Sequence, residues 1–314
     1  MRYYDESDIA AVLDEDLALD AARQVFRSLG RGQAEAFASV RNAIGHQDAV
    51  FGNKSGFDRE TMALGLKAGG YWRNNVAGGL PNHQSVTVLF DPDTGRPRAA
   101  LSGNHLTAMR TAAACAVSID ALARRDSKTL AIVGAGQQAA YHLRAATTVR
   151  EFERILIWNR TTNRAEALAN EASRFAPEVR AADLEQAVAG ADVVICVVSS
   201  FEPVVPADSV RPGTHIAAMG TDTAGKQELD PAIVAAASVF TDDVEQALVL
   251  GESQHAFRAG ALERADIAPI SEVLAGRRDG RRRVDEITLY DGTGLGLQDL
   301  VTAQLVLERM ERRS

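Results

Sequence analysis

The fold of this chain is decided by one stretch, Thr129-Leu130-Ala131-Ile132-Val133-Gly134-Ala135-Gly136-Gln137-Gln138-Ala139. After Thr129, residues 130–133 form an apolar run typical of a strand buried on both faces. The residues that follow match the turn and helix start at which a dinucleotide pyrophosphate binds. Gly134 allows the tight turn, Gly136 leaves room for the phosphates, and Ala139 lets the helix pack close to the strand. We therefore predict a dinucleotide-binding loop whose contacts are Gly134, Ala135, Gly136, Gln137 and Gln138.

Composition limits what the rest of the chain can be. The 314 residues carry a formal net charge of −8, and 46% of them are hydrophobic. The negative charge argues against a nucleic-acid or anionic-membrane partner, and no apolar run approaches the length of a membrane span. The N-terminus lacks an apolar signal core, and Cys115 and Cys196 lie inside apolar segments. We expect a cytoplasmic protein with two buried, reduced thiols and no metal site.

Strand and helix patterns divide the chain into two predicted domains. A helix over residues 7–30, with Ser7 and Asp16 as candidate caps, precedes short strands and an alanine-rich helix that ends near residue 124. From residue 128, strands alternate with helices, which is typical of a doubly wound parallel sheet. We predict an α/β protein with a Rossmann domain over 125–289, and a discontinuous α+β domain formed by 1–124 and 290–314. The default site is a cleft between the two.

The end of the second Rossmann strand bears on the choice of nicotinamide dinucleotide. An acidic residue there often accepts hydrogen bonds from the ribose hydroxyls. This chain has Asn159 instead, followed by Arg160 and Arg164, which can hold a 2′-phosphate or simply coat a helix start. The pattern favours NADPH over NADH. We expect further cofactor contacts after the later strands, at Val198, Ser199, Met219, Gly220 and Gly294.

Four other segments place polar groups where a fold alone would not require them. Lys67 ends an apolar strand, Arg110 opens a small-residue helix, and Asp222 lies in the loop 220–229 just past a Rossmann strand. The fourth segment is the glycine-rich run 291–299. With the Gly-Ala-Gly loop, these segments resemble the ornithine cyclodeaminase/mu-crystallin family from about residue 35 to the C-terminus.

That resemblance implies a homodimer whose discontinuous domain supplies the dimer contact and most substrate contacts. It also implies a nicotinamide that interconverts an α-amino acid and its α-imino acid. Arg110 and Arg41 correspond to arginines that bind the substrate carboxylate, which a guanidinium can grip bidentately. Lys67 and Asp222 correspond to catalytic residues, Lys67 as a fixed charge or a proton donor and Asp222 at the substrate nitrogen. Their structural alternatives are a capping arginine, a snorkelling lysine and a helix-capping aspartate.

Departures from the cyclodeaminase pattern bear on the substrate. The iminosuccinate reductase branch of that family is the one that this chain resembles in segments 69–75 and 82–85 and in the extra cation Lys54. That resemblance implies NADH as the cofactor, whereas Arg160 favours NADPH. A second substrate carboxylate needs further cations or donors. Those expected to line the site are Arg41, Lys54, Lys67, His83 and Arg110.

The predicted function is therefore NAD(P)H-dependent reduction of a small α-imino acid, best iminosuccinate to L-aspartate. Three alternatives stay open: a cyclodeaminase-type lyase that recycles NAD, a ketimine reductase acting on cyclic imines, and a non-catalytic dinucleotide-binding protein.

Overall fold

A computed structural model of the chain describes residues 1–313, which divide into two compact units. One unit contains Met1–Arg110 and the residues from Leu295 onward, and the other contains Thr111–Gly294. These limits differ from the sequence-based boundaries at 124/125 and 289/290. The reason is the helix Asn104–Leu122, whose later part packs through Cys115 and Ile119 into the core of the second unit.

The described residues form fifteen strands and eleven α-helices. The strands are β1 (Arg2–Tyr4), β2 (Ala34–Ala36), β3 (Val40–Ala43), β4 (Val50–Asp58), β5 (Ala63–Tyr71), β6 (His83–Phe90), β7 (Pro97–Ser102), β8 (Thr129–Val133), β9 (Arg154–Trp158), β10 (Glu178–Ala181), β11 (Val193–Cys196), β12 (His215–Ala218), β13 (Ser238–Thr241), β14 (Ile267–Pro269) and β15 (Thr288–Asp291). The α-helices are α1 (Glu6–Ala10), α2 (Glu15–Gly30), α3 (Asn104–Leu122), α4 (Gln137–Val149), α5 (Thr162–Ala172), α6 (Leu184–Ala189), α7 (Pro231–Ala236), α8 (Val244–Leu250), α9 (Gln254–Arg258), α10 (Ile270–Leu274) and α11 (Gly296–Arg313).

The second unit is built on an eight-stranded sheet in the order β10-β9-β8-β11-β12-β15-β13-β14, with every pairing parallel. Apolar clusters on both faces bury strands such as β8, which explains its uninterrupted apolar sequence. The predicted doubly wound α/β fold is confirmed. The strand order reverses direction between β8 and β11, and ligands of such folds bind at the carboxyl ends of the strands beside that point.

The first unit contains a sheet in the order β1-β7-β6-β5-β4-β2, with β3 also paired to β4. All its pairings are antiparallel except that of β1 with β7. Helix α11 packs on β4 and β5, where Gly56 and Gly65 lie directly opposite each other. A Cβ at Gly56 would lie 2.9 Å from Leu297 Cδ2, and one at Gly65 would lie 3.0 Å from Leu300 Cδ2. The two glycines therefore let the start of α11 lie close against the sheet.

The predicted helix over 7–30 is in fact two helices, α1 and α2. Their caps are Asp5 and Asp14 rather than Ser7 and Asp16. Asp5 Oδ1 accepts from the backbone N of Ser7 at 2.8 Å, and Asp14 Oδ1 accepts from that of Leu17 at 2.8 Å. Each aspartate thus stands one position before its helix, where its carboxylate can satisfy a free backbone N–H.

Both cysteines are free and buried, as predicted, and burial raises the pKa of the Cys115 thiol. Within residues 1–313, none of the helices combines the length and apolar character that crossing a bilayer requires. The same residues contain no group of three or more His, Cys, Asp or Glu side chains arranged to hold a metal ion.

Candidate active site

The glycine loop after β8 has the geometry that its sequence predicts. Gly134 has a φ of +113°, and its N–H donates to the Trp158 carbonyl at 2.8 Å. Gly136 has an ordinary φ of −84°, yet a Cβ there would meet no heavy atom within 4 Å. The turn itself therefore requires a glycine at 134, whereas at 136 the missing side chain leaves open space before helix α4. A helix N-terminus preceded by open space fits a pyrophosphate.

The other predicted cofactor residues follow strands that neighbour β8. Because β9, β8, β11, β12 and β15 are adjacent and parallel, the loops after them lie at one edge of the sheet. That edge carries Asn159 after β9, Val198 and Ser199 after β11, Met219 and Gly220 after β12, and Gly294 after β15. The structure thus brings these residues to the same edge as the glycine loop.

Asn159 connects the glycine loop to the end of β9. Its Oδ1 accepts from the Ala135 backbone N at 3.0 Å, and its Nδ2 donates to the Thr161 carbonyl at 3.0 Å. Arg160 and Arg164 beside it are exposed. This strand end therefore carries a neutral amide and two exposed guanidinium groups, without the carboxylate that would repel a 2′-phosphate.

Two buried carboxylates, those of Glu228 and Glu252, bind backbone N–H groups of the loops at this edge. The sequence does not predict either contact. Glu228 Oε1 accepts from the Val198 backbone N at 2.7 Å, and Oε2 accepts from that of Gly220 at 2.8 Å. Glu252 in turn accepts from the Leu229 backbone N at 2.7 Å. Burial and the nearby Glu252 raise the pKa of Glu228. The available signal was its position in the polar loop 220–229, but sequence could not show that its carboxylate joins two strand ends.

Asp222 lies in that same loop and is about half exposed. Its Oδ1 accepts from Lys226 Nζ at 2.7 Å and from Thr223 Oγ1 at 3.1 Å. The next helix, α7, is capped by Asp230, so Asp222 is not the cap of the following helix. A polar side chain that is paired but accessible at the carboxyl edge of the sheet fits a role toward a ligand.

In the first unit, Lys67 and Arg110 both donate to a single carboxylate, that of Asp299. Lys67 Nζ donates to Asp299 Oδ1 at 3.1 Å and to Thr107 Oγ1 at 2.7 Å. Arg110 Nε donates to the same Asp299 oxygen at 3.1 Å, and its Nη1 donates to Gln298 Oε1 at 3.0 Å. We call Lys67, Thr107, Arg110, Gln298 and Asp299 the basic cluster.

Burial argues against the structural alternatives for the two cations of this cluster. Arg110 is 8% exposed, and the Lys67 side chain is 11% exposed. Arg110 is therefore no surface arginine, and Lys67 does not extend its ammonium into solvent from the strand end. Charged side chains are rarely buried unless they are paired, and both of these are paired with Asp299.

Electrostatics within the cluster favours a lysine that titrates near neutral pH. Burial, opposed by Asp299 and reinforced by the charge of Arg110, lowers the pKa of Lys67 to about 8. Burial alone would raise the pKa of Asp299, but Arg110 and Lys67 outweigh it and hold that pKa below its ordinary value. The group therefore contains an ionised carboxylate and an ammonium able to release its proton close to physiological pH.

The remaining predicted substrate residues lie on the same face of the antiparallel sheet as Lys67. Lys54 is directly opposite Lys67, and Arg41 on β3 is opposite Gly52, which lies two residues before Lys54 on β4. Directly paired residues and residues two apart share a face. By the same rule His83, paired with Tyr71 on β5, also belongs to that face. Arg41 is exposed, and Lys54 and His83 are partly buried.

His83 is the one histidine among the predicted substrate residues. Burial, followed by the charge of Lys67, lowers the pKa of His83 to about 4, and its Nδ1 lies 3.2 Å from Asn104 Oδ1. It therefore belongs with the hydrogen-bonding groups expected at the site and adds no positive charge near neutral pH.

Fold and site together define a dinucleotide-binding type of α/β protein, with a buried basic cluster in its first unit. The chain belongs to the ornithine cyclodeaminase/mu-crystallin family, whose model matches residues 5–314.

Relatives with known names or structures are similar over nearly the whole chain. An iminosuccinate reductase of Paracoccus denitrificans is 49% identical over 303 residues, which cover 96% of this chain and 94% of that protein. The crystal structure of the Paracoccus denitrificans enzyme in complex with NAD+ gives a TM-score of 0.95 at 48% identity, covering 99% and 96% of the two chains.

Two further structures are similar at lower identity. The Delta(1)-pyrroline-2-carboxylate reductase of Thermococcus litoralis, in complex with NADH and L-proline, gives a TM-score of 0.95 at 29% identity and covers 100% of this chain and 98% of that one. An archaeal alanine dehydrogenase dimer with bound NAD gives 0.94 at 30% identity, with coverage of 99% and 96%.

Proposed function

We propose that this protein is an NAD(P)H-dependent imine reductase that converts a small dicarboxylic α-imino acid, iminosuccinate, into L-aspartate. The observation that carries the proposal is the charge around the basic cluster. Lys67 and Arg110 are buried against a single carboxylate, Asp299, and Lys54 lies directly opposite Lys67 in the sheet. Basic side chains gathered in this way suit an anionic substrate, and the similarity to the Paracoccus denitrificans enzyme supports iminosuccinate.

The proposed mechanism assigns each polar group one task. When bound, the reduced nicotinamide supplies the hydride that the imino carbon accepts, while the C=N π electrons pass to nitrogen. Arg110 binds the α-carboxylate, and Lys54 and Arg41 bind the distal carboxylate. Lys67 delivers the proton that the nitrogen takes up. Asp222 stabilises positive charge on that nitrogen before reduction.

We further propose that the cofactor site accepts both NADH and NADPH. The relatives described above have NAD+, NADH or NAD bound in their structures. In this chain, Asn159 places no negative charge at the end of β9, and the exposed Arg160 and Arg164 offer partners for a 2′-phosphate. NADPH should therefore be used at least as well as NADH.

The proposed assembly is a homodimer formed through the first unit. Large apolar side chains are exposed along one segment of that unit, namely Phe37, Val40, Ile44, Phe51, Tyr71, Val76 and Leu80. Exposed large apolar side chains commonly mark a protein interface. The similar archaeal alanine dehydrogenase is a dimer, which supports a second copy of this chain as the occupant. The two free buried thiols support a reducing, cytoplasmic location.

The direct test follows oxidation of NADH and of NADPH by the purified protein with oxaloacetate and ammonia, which generate iminosuccinate in solution. We expect turnover that requires both reactants, with L-aspartate as the product. Parallel reactions contain a cyclic ketimine, pyruvate with ammonia, or ornithine with NAD+. Turnover confined to one of these, or formation of proline and ammonia from ornithine, would overturn the substrate assignment. Tight cofactor binding without turnover in any reaction would contradict catalysis itself.

A further inference from the structure

Asp299 stands at the centre of the basic cluster, and the reaction scheme above leaves it without a task. We propose that Asp299 is a positioning residue that keeps the Lys67 ammonium protonated and correctly directed until it protonates the substrate nitrogen. The inference rests on the proposed function, because it concerns the proton that imine reduction consumes.

The geometry supports the directing role. A single oxygen, Asp299 Oδ1, receives both Lys67 Nζ and Arg110 Nε, each at 3.1 Å. Thr107 Oγ1 takes a second N–H of the same ammonium at 2.7 Å, while the Thr107 hydroxyl donates to the Gly103 carbonyl. An ammonium has three N–H groups. Two acceptors in set positions therefore define the direction of the third.

The charges around Lys67 show why an anion is needed. The charged or titratable groups that face it are Asp299 on α11, Arg110 on α3, Lys54 on β4 and the neutral His83 on β6. Burial, Arg110 and Lys54 all favour the neutral amine, and Asp299 alone among these groups favours the ammonium. Without that carboxylate, Lys67 would lose its proton at a lower pH.

Asp299 is itself held firmly in place. It lies in the first turn of α11, where the helix dipole stabilises a negative charge. Gly296 precedes it by less than a turn and lies so close to β4 that a Cβ there would be 2.9 Å from Lys54 Cβ. The Asp299 side chain is completely buried. Its position is thus set by the packing of α11 on the sheet.

The use of lysine in this chain agrees with a titrating role. Only four of its 34 basic residues are lysines: Lys54, Lys67, Lys128 and Lys226. Arginine does not release its proton in proteins, whereas a buried lysine does so readily. Lys67 is the one of these four lysines that belongs to the basic cluster, where its proton can move.

Asp299→Asn tests the proposal cleanly. Asp299 Oδ2 is buried and accepts no hydrogen bond from the described residues, so an amide NH₂ in its place removes the charge while Oδ1 can still accept from Lys67 and Arg110. Glu311→Gln is the matched control, because Glu311 is an exposed carboxylate on the same helix. Asp299→Ser provides a second neutral variant if asparagine prevents folding, which near-UV circular dichroism reports.

The first measurement needs no turnover. In protein labelled with 13C at lysine Cε, four lysines give four resonances, and Lys67→Arg identifies that of Lys67. We expect a wild-type titration midpoint near pH 8. Losing an opposite charge at this distance should lower the midpoint by about 1–3 pH units in Asp299→Asn and leave it unchanged in Glu311→Gln. An unshifted midpoint in both neutral Asp299 variants would overturn the proposal.

The second measurement is the pH dependence of kcat/KM for imine reduction. Because the protonated lysine is the active form, the rate should fall as pH rises through the Lys67 pKa, and the fall should move to lower pH in Asp299→Asn by the same amount as the midpoint. A shifted midpoint with an unshifted rate profile contradicts the role of Lys67 as proton donor, and with it this inference. If the wild-type protein reduces no imine, the proposed function fails instead, independently of the lysine titration.

Discussion

Arg110 shows how one side chain connects the fold to the proposed chemistry. It lies in the second turn of α3 and is 8% exposed, with Nε bound to Asp299 and Nη1 bound to Gln298. Two neighbours thus hold the planar guanidinium in one orientation before any substrate arrives. A group held in this way binds a carboxylate without first losing its own rotational freedom.

Replacing Arg110 by lysine tests this orientation, because the substitution keeps the charge but removes the forked donor set. We expect kcat/KM for the imino acid to fall about 10- to 150-fold, the equivalent of about 1.5–3 kcal/mol for hydrogen bonds to a charged group. Most of the loss should appear as a higher KM. Steady-state kinetics measure it, with the exposed Arg312→Lys as control. Unchanged kinetics would remove Arg110 from the substrate site.

The sequence shows which of these residues are candidates for the site, but it does not show which other residues they contact. Lys67 and Arg110 stand out because a charge interrupts an apolar strand or a small-residue helix. Asp299 is visible only as the last residue of a glycine-rich segment. Its contact with Lys67 joins positions 232 residues apart, and no local pattern reports such a contact. His83 likewise shows its residue type in the sequence, but the burial that keeps it neutral depends on tertiary packing.

The strand–turn–helix unit β8–α4 contains two glycines with different reasons for being there. One is needed for the backbone turn, and the other is needed only if a ligand binds. Gly134 needs its positive φ, and a Cβ there would lie 2.9 Å from the Val197 carbonyl oxygen. Gly136 has neither constraint. If the fold does not require a glycine at 136, binding of the dinucleotide phosphates explains its presence.

The matched variants Gly134→Ala and Gly136→Ala should therefore fail in different ways. We expect Gly134→Ala to lower the free energy of unfolding by about 1–3 kcal/mol, because the backbone is strained and must shift. Gly136→Ala should unfold like the wild type but bind NADH at least about tenfold more weakly, a loss of about 1.4 kcal/mol. Thermal unfolding and fluorescence titration with NADH measure the two effects. Normal NADH affinity in Gly136→Ala would place the phosphates elsewhere.

Strands at the centre of the parallel sheet are also more predictable than those at its edges. The apolar runs of β8 and β11 indicate their positions directly, because both faces of these strands are buried. The outermost strands, β10 with the sequence EVRA and β14 with IAP, have no such run and are not predicted. An edge strand is exposed on one side and short, so its pairing partner rather than its own sequence determines it.

For the whole molecule, composition predicts the class of protein, but it does not predict at which residue one unit ends and the other begins. Helix α3 begins in one unit and packs its later residues into the other, so the limit at 110 falls inside a continuous helix. Hydrophobic periodicity cannot reveal such a limit, because both halves of the helix are apolar. Charge is also unevenly distributed, since a chain with a net charge of −8 places two further basic side chains, Arg110 and Lys54, near Lys67.

The largest-scale prediction concerns assembly. Val76 and Leu80 are 67% and 57% exposed in the apolar segment of the first unit, whereas Val284 is 75% exposed in the other unit. If a second copy covers the first unit's segment, burying a carboxylate there costs several kcal/mol unless it is paired. Val76→Asp combined with Leu80→Asp should therefore give a monomer, while Val284→Asp remains a dimer.

Light scattering coupled to size-exclusion chromatography distinguishes the two masses, and circular dichroism checks that each variant is folded. The dimer proposal fails if the wild type elutes with the mass of one chain. It fails equally if the double variant keeps the wild-type mass, because the covered surface must then lie elsewhere. A folded monomer that still binds NADH would also show that the dinucleotide site of the second unit forms without the partner chain, as expected when all its predicted loop residues lie between 134 and 294 of one chain.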